Sequence, residues 1–370
     1  MKIGIDVRLW NETGVGRYIR ALVRELGNID KHNEYTLFLR QPQYEEVIPP
    51  NSRWKKVLAD VPWHTIQEQF KMPAIYQAAN IDLLHIPYFA VPVLIQVPFV
   101  VTIHDLTISH FATGKATSLP LPIYWLKRLG YTLVLSQTFK RARQIITVSE
   151  TVKKQIMSEF SRSADKICVI YESGSLEPLK SKATVVTPKN YLLYVGNAHP
   201  HKNLERLVKA YALVKRKVLD LNLVLVGKTD YFYSKLKIWV NAQGITGVKF
   251  IGEVNNEELA IWYKNALSFV FPSLSEGFGI PGLEAMSMDC PVIASDIQTF
   301  REIYKDAAIY FDPNSEVSLA SVTTDTVKNS QTRERLVKKG RERVQYFSWN
   351  KMARQTLEVY ENCIDIRSGQ

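Results

Sequence analysis

The chain has 370 residues, of which 46% are hydrophobic and 22% are charged, with 47 Lys plus Arg against 36 Asp plus Glu. These proportions exclude a disordered or fibrous protein, and at roughly 100 to 200 residues per domain the length favours two domains. The three cysteines, Cys168, Cys290 and Cys363, form no CxxC pair and cannot all pair within one chain. The sequence therefore predicts neither a disulfide framework nor a zinc site, and a reducing, cytoplasmic compartment is the simplest setting.

The sequence contains no segment typical of a signal peptide or a membrane span. The first ten residues, MKIGIDVRLW, have an alternating apolar run that Asp6 interrupts. They therefore lack the long apolar region of a signal peptide and resemble a first strand. The longest apolar stretch, Phe89–Ile103, contains Pro92, Gln96 and Pro98 and is shorter than the ~20 residues that a spanning helix needs. We therefore expect no transmembrane helix.

Residues 115–143 form a basic and aromatic block, because no acidic residue occurs between Asp105 and Glu150. Its centre, from about Leu121 to Thr138, is predicted to be a helix. One interpretation is a core helix with a solvated basic rim. Another is a peripheral contact with anionic headgroups, which would place the protein at the inner face of the membrane. Nucleic acid is not expected as a partner, because the chain has no motif for it.

Short apolar runs alternate with helical segments twice over, which is typical of two parallel sheets in an α/β protein. The predicted strands of the first half are Ile3–Val7, Tyr35–Leu39, Leu83–Ile86, Phe99–Ile103 and Gln144–Val148. Those of the second half are Tyr191–Val195, Leu223–Val226, Lys249–Ile251, Leu267–Phe271, Val292–Ala294 and Ala308–Phe311. The polar segment Ser173–Lys189 is predicted to be the linker. Ligands of doubly wound sheets bind at the carboxyl ends of strands, so the loops there are the candidate sites.

Three of these loops carry weak signals. TGVGRY places Gly14 and Gly16 at a helix start, where amides can approach an anion, but Ile19 stands where a dinucleotide fingerprint needs a third glycine. His104 ends a strand and is either a donor to a substrate hydroxyl or carbonyl, or a structural histidine. Lys202, in GNAHPHKN, precedes a helix and is either a phosphate ligand or a surface lysine.

The strongest signal is PSLSEGFGIPGLEAMSMDCPVIASD, residues 272–296, which follows a buried strand. Gly277 and Gly279 allow the backbone amides of the next residues to turn into the loop, and a helix that starts near Pro281 adds partial positive charge. The pattern predicts a loop that holds a sugar hydroxyl at Glu276, a diphosphate in its middle and a ribose at Glu284.

EGFGIPGLE resembles the E-x7-E motif of glycosyltransferase family 4, a group of retaining, nucleotide-sugar-dependent enzymes of the GT-B fold. TGVGRY, the His104-Asp105 pair, ITVSE, VGNAHPHKN, FIGEV and FSWNKMA resemble further elements of that family in the same order. The resemblance implies two Rossmann-like domains facing across a cleft. An acceptor-binding domain would cover 1–178, completed by a C-terminal helix at about 354–370 that crosses back, and a nucleotide-sugar domain would cover 186–353.

The resemblance also implies roles for single residues. Glu276 would contact donor sugar hydroxyls, Lys202 would neutralise the diphosphate, and His104 would position the sugar as a hydrogen-bond donor. Donor binding would further involve Gly16, Asn197, His201, Val254, Phe278, Gly279, Ile280 and Glu284. The family usually has Arg where this chain has Asn197, directly after Gly196, and His201 is the candidate to supply part of that charge.

The implied activity is the retaining transfer of a hexose, glucose or mannose, from a nucleotide diphosphate sugar to a saccharide or lipid-linked saccharide, in polysaccharide or glycan assembly. The chain has no DxD motif, so we expect no cofactor and no divalent metal. Two alternatives stay open: a non-catalytic protein that binds a nucleotide sugar or a polyanion, which Asn197 favours, and a GT-B epimerase or hydrolase of sugar nucleotides.

Overall fold

The computed structural model describes residues 1–89, 91–106, 121–160, 164–176 and 185–368. Residues 115–120 of the basic block and 177–184 of the predicted linker lie outside the described residues. The chain divides into two compact units. The first comprises the described residues up to Glu172 and those from Trp349 onward, and the second comprises those from Ser173 to Ser348.

The first unit contains a seven-stranded parallel sheet in the order β3-β2-β1-β4-β5-β6-β7. Its strands are β1 Lys2–Asp6, β2 Glu34–Leu39, β3 Trp54–Leu58, β4 Leu83–Ile86, β5 Phe99–Ile103, β6 Gln144–Thr147 and β7 Ile167–Val169. Its helices are α1 Gly14–Ile29, α2 Gln43–Glu46, α3 Ile66–Ala78, α4 Leu121–Arg141, α5 Glu150–Phe160 and the C-terminal helix Trp349–Ser368.

The second unit contains a six-stranded parallel sheet in the order β10-β9-β8-β11-β12-β13. Its strands are β8 Tyr191–Val195, β9 Asn222–Val226, β10 Val248–Gly252, β11 Ser268–Phe271, β12 Val292–Ser295 and β13 Ala308–Phe311. Its helices are α6 Leu204–Lys215, α7 Tyr231–Ala242, α8 Asn256–Asn265, α9 Ile280–Ser287, α10 Gln298–Tyr304, α11 Glu316–Lys328 and α12 Ser330–Val344. The C-terminal helix of the first unit is α13.

All eleven strands predicted from the sequence are present, within about one residue at each end. Two strands were missed, β3 and β7, and both are edge strands of the first sheet. An edge strand is covered on fewer sides, so its sequence carries a weaker apolar signal. In β3 the sequence WKKVL contains two lysines, and β7 is only three residues long.

The strand order of each sheet reverses at one point, between β1 and β4 in the first unit and between β8 and β11 in the second. At such a switch point the loops that follow the two strands diverge to opposite faces of the sheet and leave a crevice. The loops after β8 and β11 are GNAHPHKN, which carries one of the weak signals, and PSLSEGFG, which belongs to the strongest. The fold therefore places both beside the switch point of the second sheet.

Helix α13 belongs to the first unit and packs against α1. Its first turn contacts α1 through the Asn350 side chain, which donates a hydrogen bond of 3.4 Å to Glu25. Further along, the Tyr360 hydroxyl lies 2.5 Å from Nδ1 of His85 on β4. The C-terminal helix thus returns to the first unit, as the sequence predicted.

Candidate active site

The loop after β8 is held by hydrogen bonds between its side chains and its main chain. Gly196 adopts a φ of +146°, and the Tyr194 hydroxyl donates to the carbonyl of Asn197 at 2.7 Å. The Asn197 side chain accepts a hydrogen bond from the His199 amide at 3.3 Å, so it folds into its own turn. Asn203, with a φ of 60°, then turns the chain into α6. The residue in the family's usual Arg position therefore has a local structural role.

Lys202 and Glu276 form an ion pair across the switch point of the second sheet. The Lys202 ammonium lies 2.6 Å from Oε1 of Glu276, and the two side chains are 15% and 13% exposed. The two loops are also tied by the amide of Leu274, which donates to the His201 carbonyl at 2.8 Å. The structure thus brings together the residues predicted to bind the diphosphate and the sugar.

The glycine loop after Glu276 ends at the start of α9. Gly279 adopts a φ of +103°, and a Cβ atom there would lie 2.2 Å from the Tyr304 hydroxyl oxygen. That hydroxyl donates to the Gly279 carbonyl at 2.6 Å, and burial raises the pKa of Tyr304 well above its ordinary value, so it stays protonated. Only glycine fits this position, which fixes how the chain enters the first turn of α9 at Ile280.

Phe278 and Glu284 are both buried. The Phe278 ring packs edge to face against Phe347 at a centroid distance of 5.5 Å, so its side chain is a core group and the predicted donor contact concerns its main chain. Glu284 is only 2% exposed, and the Tyr263 hydroxyl donates to its Oε2 at 3.0 Å. Its contact with a ribose stays a prediction.

The remaining residues predicted on this side lie in two further loops. Val254 is half-buried and follows β10, just before Asn255, which caps α8 with a capping box. The His201 ring is stacked with the ring of His199 at 5.9 Å. Burial lowers the pKa of His199, so this histidine adds little charge to the loop at neutral pH.

His104 follows β5 in the first unit, and both of its ring nitrogens are hydrogen-bonded. Nε2 lies 3.1 Å from the Pro87 carbonyl, which only accepts, so Nε2 carries a proton. Nδ1 lies 3.0 Å from Oε1 of Glu172. Sequence reasoning missed Glu172, because β7, the strand that precedes it, was itself not predicted.

Gly16 lies in the first turn of α1, where a Cβ atom would come within 2.6 Å of the Trp10 carbonyl oxygen and 2.8 Å of that of Leu9. The turn after β1 therefore requires glycine at this position whether or not a ligand binds. A Cβ atom at Gly14, by contrast, would meet no atom within 4 Å. The approach of Gly16 to a phosphate stays a prediction.

A buried ionic cluster at the end of β1 was not predicted from the sequence. The Arg8 guanidinium lies 2.7 Å from Asp6 and 2.6 Å from Glu68. Burial opposes ionisation of Asp6, but its bonds to Arg8 and Tyr76 outweigh this and lower its pKa. With Trp63 and Tyr88 the cluster lines a narrow crevice at the switch point of the first sheet. No local pattern in the sequence indicated it, because Glu68 is 60 residues from Arg8.

The described residues lack both a membrane-spanning helix and a cluster of metal ligands. No helix in the described part of the chain is long and apolar enough to cross a membrane. Within the same ranges, no group of three or more His, Cys, Asp or Glu side chains is arranged to hold a metal ion. The expectation of metal independence therefore stays a prediction that needs its own experiment.

Comparison with known proteins decides the family. Residues 13–173 match the model of Glycosyltransferase Family 4, and residues 177–343 match that of Glycosyl transferases group 1. The O-antigen chain mannosyltransferase RfbU of Salmonella typhimurium is 30% identical over 318 residues, which cover 82% of this chain and 83% of that protein. The chain belongs to glycosyltransferase family 4.

Two further matches extend over nearly the whole chain. The O-antigen chain mannosyltransferase B of Escherichia coli is 26% identical over 377 residues, 94% of this chain and 96% of that protein. The solved sucrose-phosphate synthase of Thermosynechococcus elongatus shares the fold with a TM-score of 0.78 at 19% identity, over 99% of this chain and 100% of that one. The predicted GT-B fold and hexosyltransferase activity of this family 4 member are confirmed.

Proposed function

We propose that this enzyme transfers mannose from GDP-mannose to a saccharide or lipid-linked saccharide during polysaccharide assembly, with retention of the anomeric configuration. The observation that carries the donor site is the Lys202–Glu276 pair beside the glycine loop and the start of α9. Mannose is favoured over glucose because both curated relatives described above are named as mannosyltransferases.

The proposed chemistry depends on charge stabilisation at the diphosphate. The bond between the anomeric carbon and the phosphate oxygen breaks, and its electron pair leaves on the diphosphate. Lys202 and the main-chain amides from Phe278 to Ile280 would stabilise that charge, each aimed donor contributing about 3 kcal/mol. The acceptor oxygen forms the new bond on the same face, and its proton passes to the departing phosphate. No protein nucleophile is required.

The proposed sugar contacts are made by Glu276 and His104. The Glu276 carboxylate accepts from sugar hydroxyls while its pairing with Lys202 keeps it oriented. His104 donates from Nε2, which in the free protein donates to the Pro87 carbonyl. In this proposal Gly16, Asn197, His201, Val254 and Glu284 keep the donor-binding roles that the family resemblance implies.

The test measures donor binding and turnover separately. Thermal unfolding of the purified chain is followed with GDP-mannose, UDP-glucose and the free nucleotides, because a ligand at 100 times its Kd adds about 2.7 kcal/mol of stability. Transfer to a long-chain alkyl mannoside is then analysed by NMR for product and anomeric configuration. GDP-mannose should stabilise the chain and give an α-mannoside.

Other outcomes lead to the alternatives. Stabilisation without turnover would favour the binding protein, whereas an altered or hydrolysed sugar nucleotide would favour the epimerase or hydrolase. Glu276→Gln is the matched variant, since it keeps the shape and removes the charge. If it binds and transfers like the wild type, the donor site has been placed wrongly.

We also propose a peripheral contact of helix α4, within residues 115–143, with an anionic membrane surface. Trp125, Leu129 and Leu133 are spaced by four residues and are 56%, 59% and 58% exposed. Basic residues occupy the last turn of the helix, while Leu135 and Phe139 on another face are buried. One face of the helix thus packs into the core, and the other has the apolar stripe and basic flank of an interfacial helix.

Flotation with vesicles that contain anionic phosphatidylglycerol tests this contact at low salt. The double variant Leu129→Glu and Leu133→Glu should lose binding, whereas Ile238→Glu, at an equally exposed apolar position on α7, should keep it. Equal binding by all three proteins would contradict the proposal. A positive result would support a cytoplasmic enzyme at the inner membrane face and favour a lipid-linked acceptor.

A further inference from the structure

Four polar side chains form a chain of hydrogen bonds inside the first unit. They come from four different elements, α1, β4, β5 and α13, and each is fully buried: Tyr18, His85, Thr102 and Tyr360. We call this set the clasp. A parallel sheet buried on both faces normally has apolar residues at such positions, because every buried polar group needs a partner.

The hydrogen bonds connect the C-terminal helix to the sheet and then to α1. The Tyr360 hydroxyl lies 2.5 Å from Nδ1 of His85, and Nε2 of His85 lies 2.8 Å from the Thr102 hydroxyl. The Thr102 hydroxyl lies 3.2 Å from that of Tyr18. The set therefore begins at Tyr360 on α13 and ends at Tyr18 on α1.

The direction of donation follows from Tyr360. Nδ1 of His85 is the hydrogen-bond partner that the described structure gives its buried hydroxyl, so Tyr360 donates to Nδ1. Nε2 of His85 then donates to Thr102, and Thr102 donates to Tyr18.

His85 completes this order. Burial, together with the charge of nearby His104, lowers its pKa to about 3, so the ring is neutral and Nδ1 accepts from Tyr360. The hydroxyl of Tyr360 thus fixes the tautomer of His85.

The clasp touches the candidate active site through Tyr18. Its ring packs edge to face on the His104 ring, with centroids 4.9 Å apart and planes at 80°. His104 is also hydrogen-bonded to Pro87 and Glu172. Packing alone would let the Tyr18 ring slide along its partner, whereas a hydroxyl held by Thr102 fixes where the ring edge lies.

We propose that the clasp positions His104 through Tyr18, so that Thr102, His85 and Tyr360 are positioning residues for hexosyl transfer. This inference rests on the proposed role of His104 as a sugar donor. It gives α13 a part in turnover beyond its contribution to the fold, because α13 supplies Tyr360, the residue at which the clasp begins.

Two substitutions at Thr102 provide the first test. Thr102→Val keeps the shape and removes the hydroxyl, so we expect kcat to fall about tenfold or more while the KM for the nucleotide sugar stays within about twofold. Thr102→Ser keeps the hydroxyl and should retain kcat. If the valine variant folds and turns over like the serine variant, the clasp has no part in catalysis.

Tyr360→Phe tests the same set from α13, with Tyr35→Phe as its matched control. Tyr35 is also buried in the first unit and donates to Asp30 at 2.5 Å, but within the described residues no hydrogen bond or ring contact joins it to the clasp or to His104. Both variants lose one buried phenol hydrogen bond, and both should unfold at lower temperature. Only Tyr360→Phe should lower kcat, and an equal loss in both would overturn the proposal.

NMR of the full chain labelled with 15N-histidine separates this proposal from the proposed function. In the wild type, His85 should show a protonated Nε2 and an unprotonated Nδ1 at neutral pH. Tyr360→Phe and Thr102→Val should shift the ring signals of His104, while Tyr35→Phe should leave them unchanged. A chain that transfers no hexose but shows these shifts would refute the proposed function and keep the coupling. Unshifted His104 signals would refute the coupling itself.

Discussion

The switch points of the two sheets are built in opposite ways. In the second unit the site is made of loops, in which Gly279 and Asn203 turn the main chain and the partly exposed pair Lys202–Glu276 joins two loops. In the first unit the corresponding edge is supported by buried side chains, such as His85 on β4. Loops that bind through main-chain groups leave a local motif in the sequence, whereas side-chain networks across a sheet leave none.

The largest effect should come from the loop-built site. Lys202→Ala and Glu276→Ala should each lower kcat/KM by about 10² to 10³, because each removes a group aimed at the donor. Since the two side chains contact each other, the double variant should lose much less than the product of the single losses. Steady-state kinetics with saturating acceptor measures this cycle. Fully additive losses would mean that the pair does not act as a unit.

The buried side chains at the edge of the first sheet should make the free energy of unfolding depend on pH. The pKa of His85 is about 3 in the folded protein against an ordinary 6.5, so only the unfolded chain takes up this proton as the pH falls. Stability should therefore decrease below pH 6.5 by about 1.4 kcal/mol per pH unit from this residue, a loss of about 3 kcal/mol by about pH 4.5.

Denaturant unfolding of the wild type and His85→Gln across this range checks that slope. The glutamine variant has nothing to titrate here, so its free energy of unfolding should fall less steeply with decreasing pH. Parallel curves for the two proteins would show that His85 is protonated in the folded state.

Two glycine substitutions test whether the loop of the second unit depends on main-chain geometry. Gly279→Ala should destabilise the protein by about 2 to 3 kcal/mol, because it combines a positive φ with a contact of 2.2 Å to Tyr304. Gly244→Ala also has a positive φ, 63°, but no atom within 4 Å, and should cost only about 1 kcal/mol. Thermal unfolding should rank them in this order, and only Gly279→Ala should raise the KM for the nucleotide sugar.

Substitutions at His104 and Glu172 in the first unit should have a smaller effect on kcat. His104→Ala should lower kcat about tenfold, the value of one lost hydrogen bond to the sugar, and Glu172→Gln should lower it less, because an amide still holds the ring. Both are measured with saturating donor and acceptor. Full turnover by the alanine variant would contradict the proposed role of His104.

The smallest expected effect is that of a chelator. Transfer should be unchanged in excess EDTA, since Lys202 and the start of α9 are proposed to meet the diphosphate charge without a cation. Loss of transfer, followed by rescue with Mg²⁺ or Mn²⁺, would show that the donor site of the second unit needs a metal.

The sequence predicted best where a feature is local. The strands came from short apolar runs, and the E-x7-E loop came from nine consecutive residues between Glu276 and Glu284. Prediction from the sequence failed for the edge strands β3 and β7, whose residues are only partly covered. It also missed Glu172 and the Arg8 cluster, because the sequence does not show which distant residue a charged side chain will contact.

The sequence by itself determined two parallel-sheet units, the family and the loop that is proposed to bind the donor, since periodicity and motif spacing act over a few residues. Only the tertiary structure decided that Lys202 pairs with Glu276, 74 residues away, and that His85 meets Tyr360, 275 residues away. These contacts depend on which strands become neighbours and on where the last helix returns. Strand order and helix docking arise from burial of the whole chain, so no local pattern encodes them.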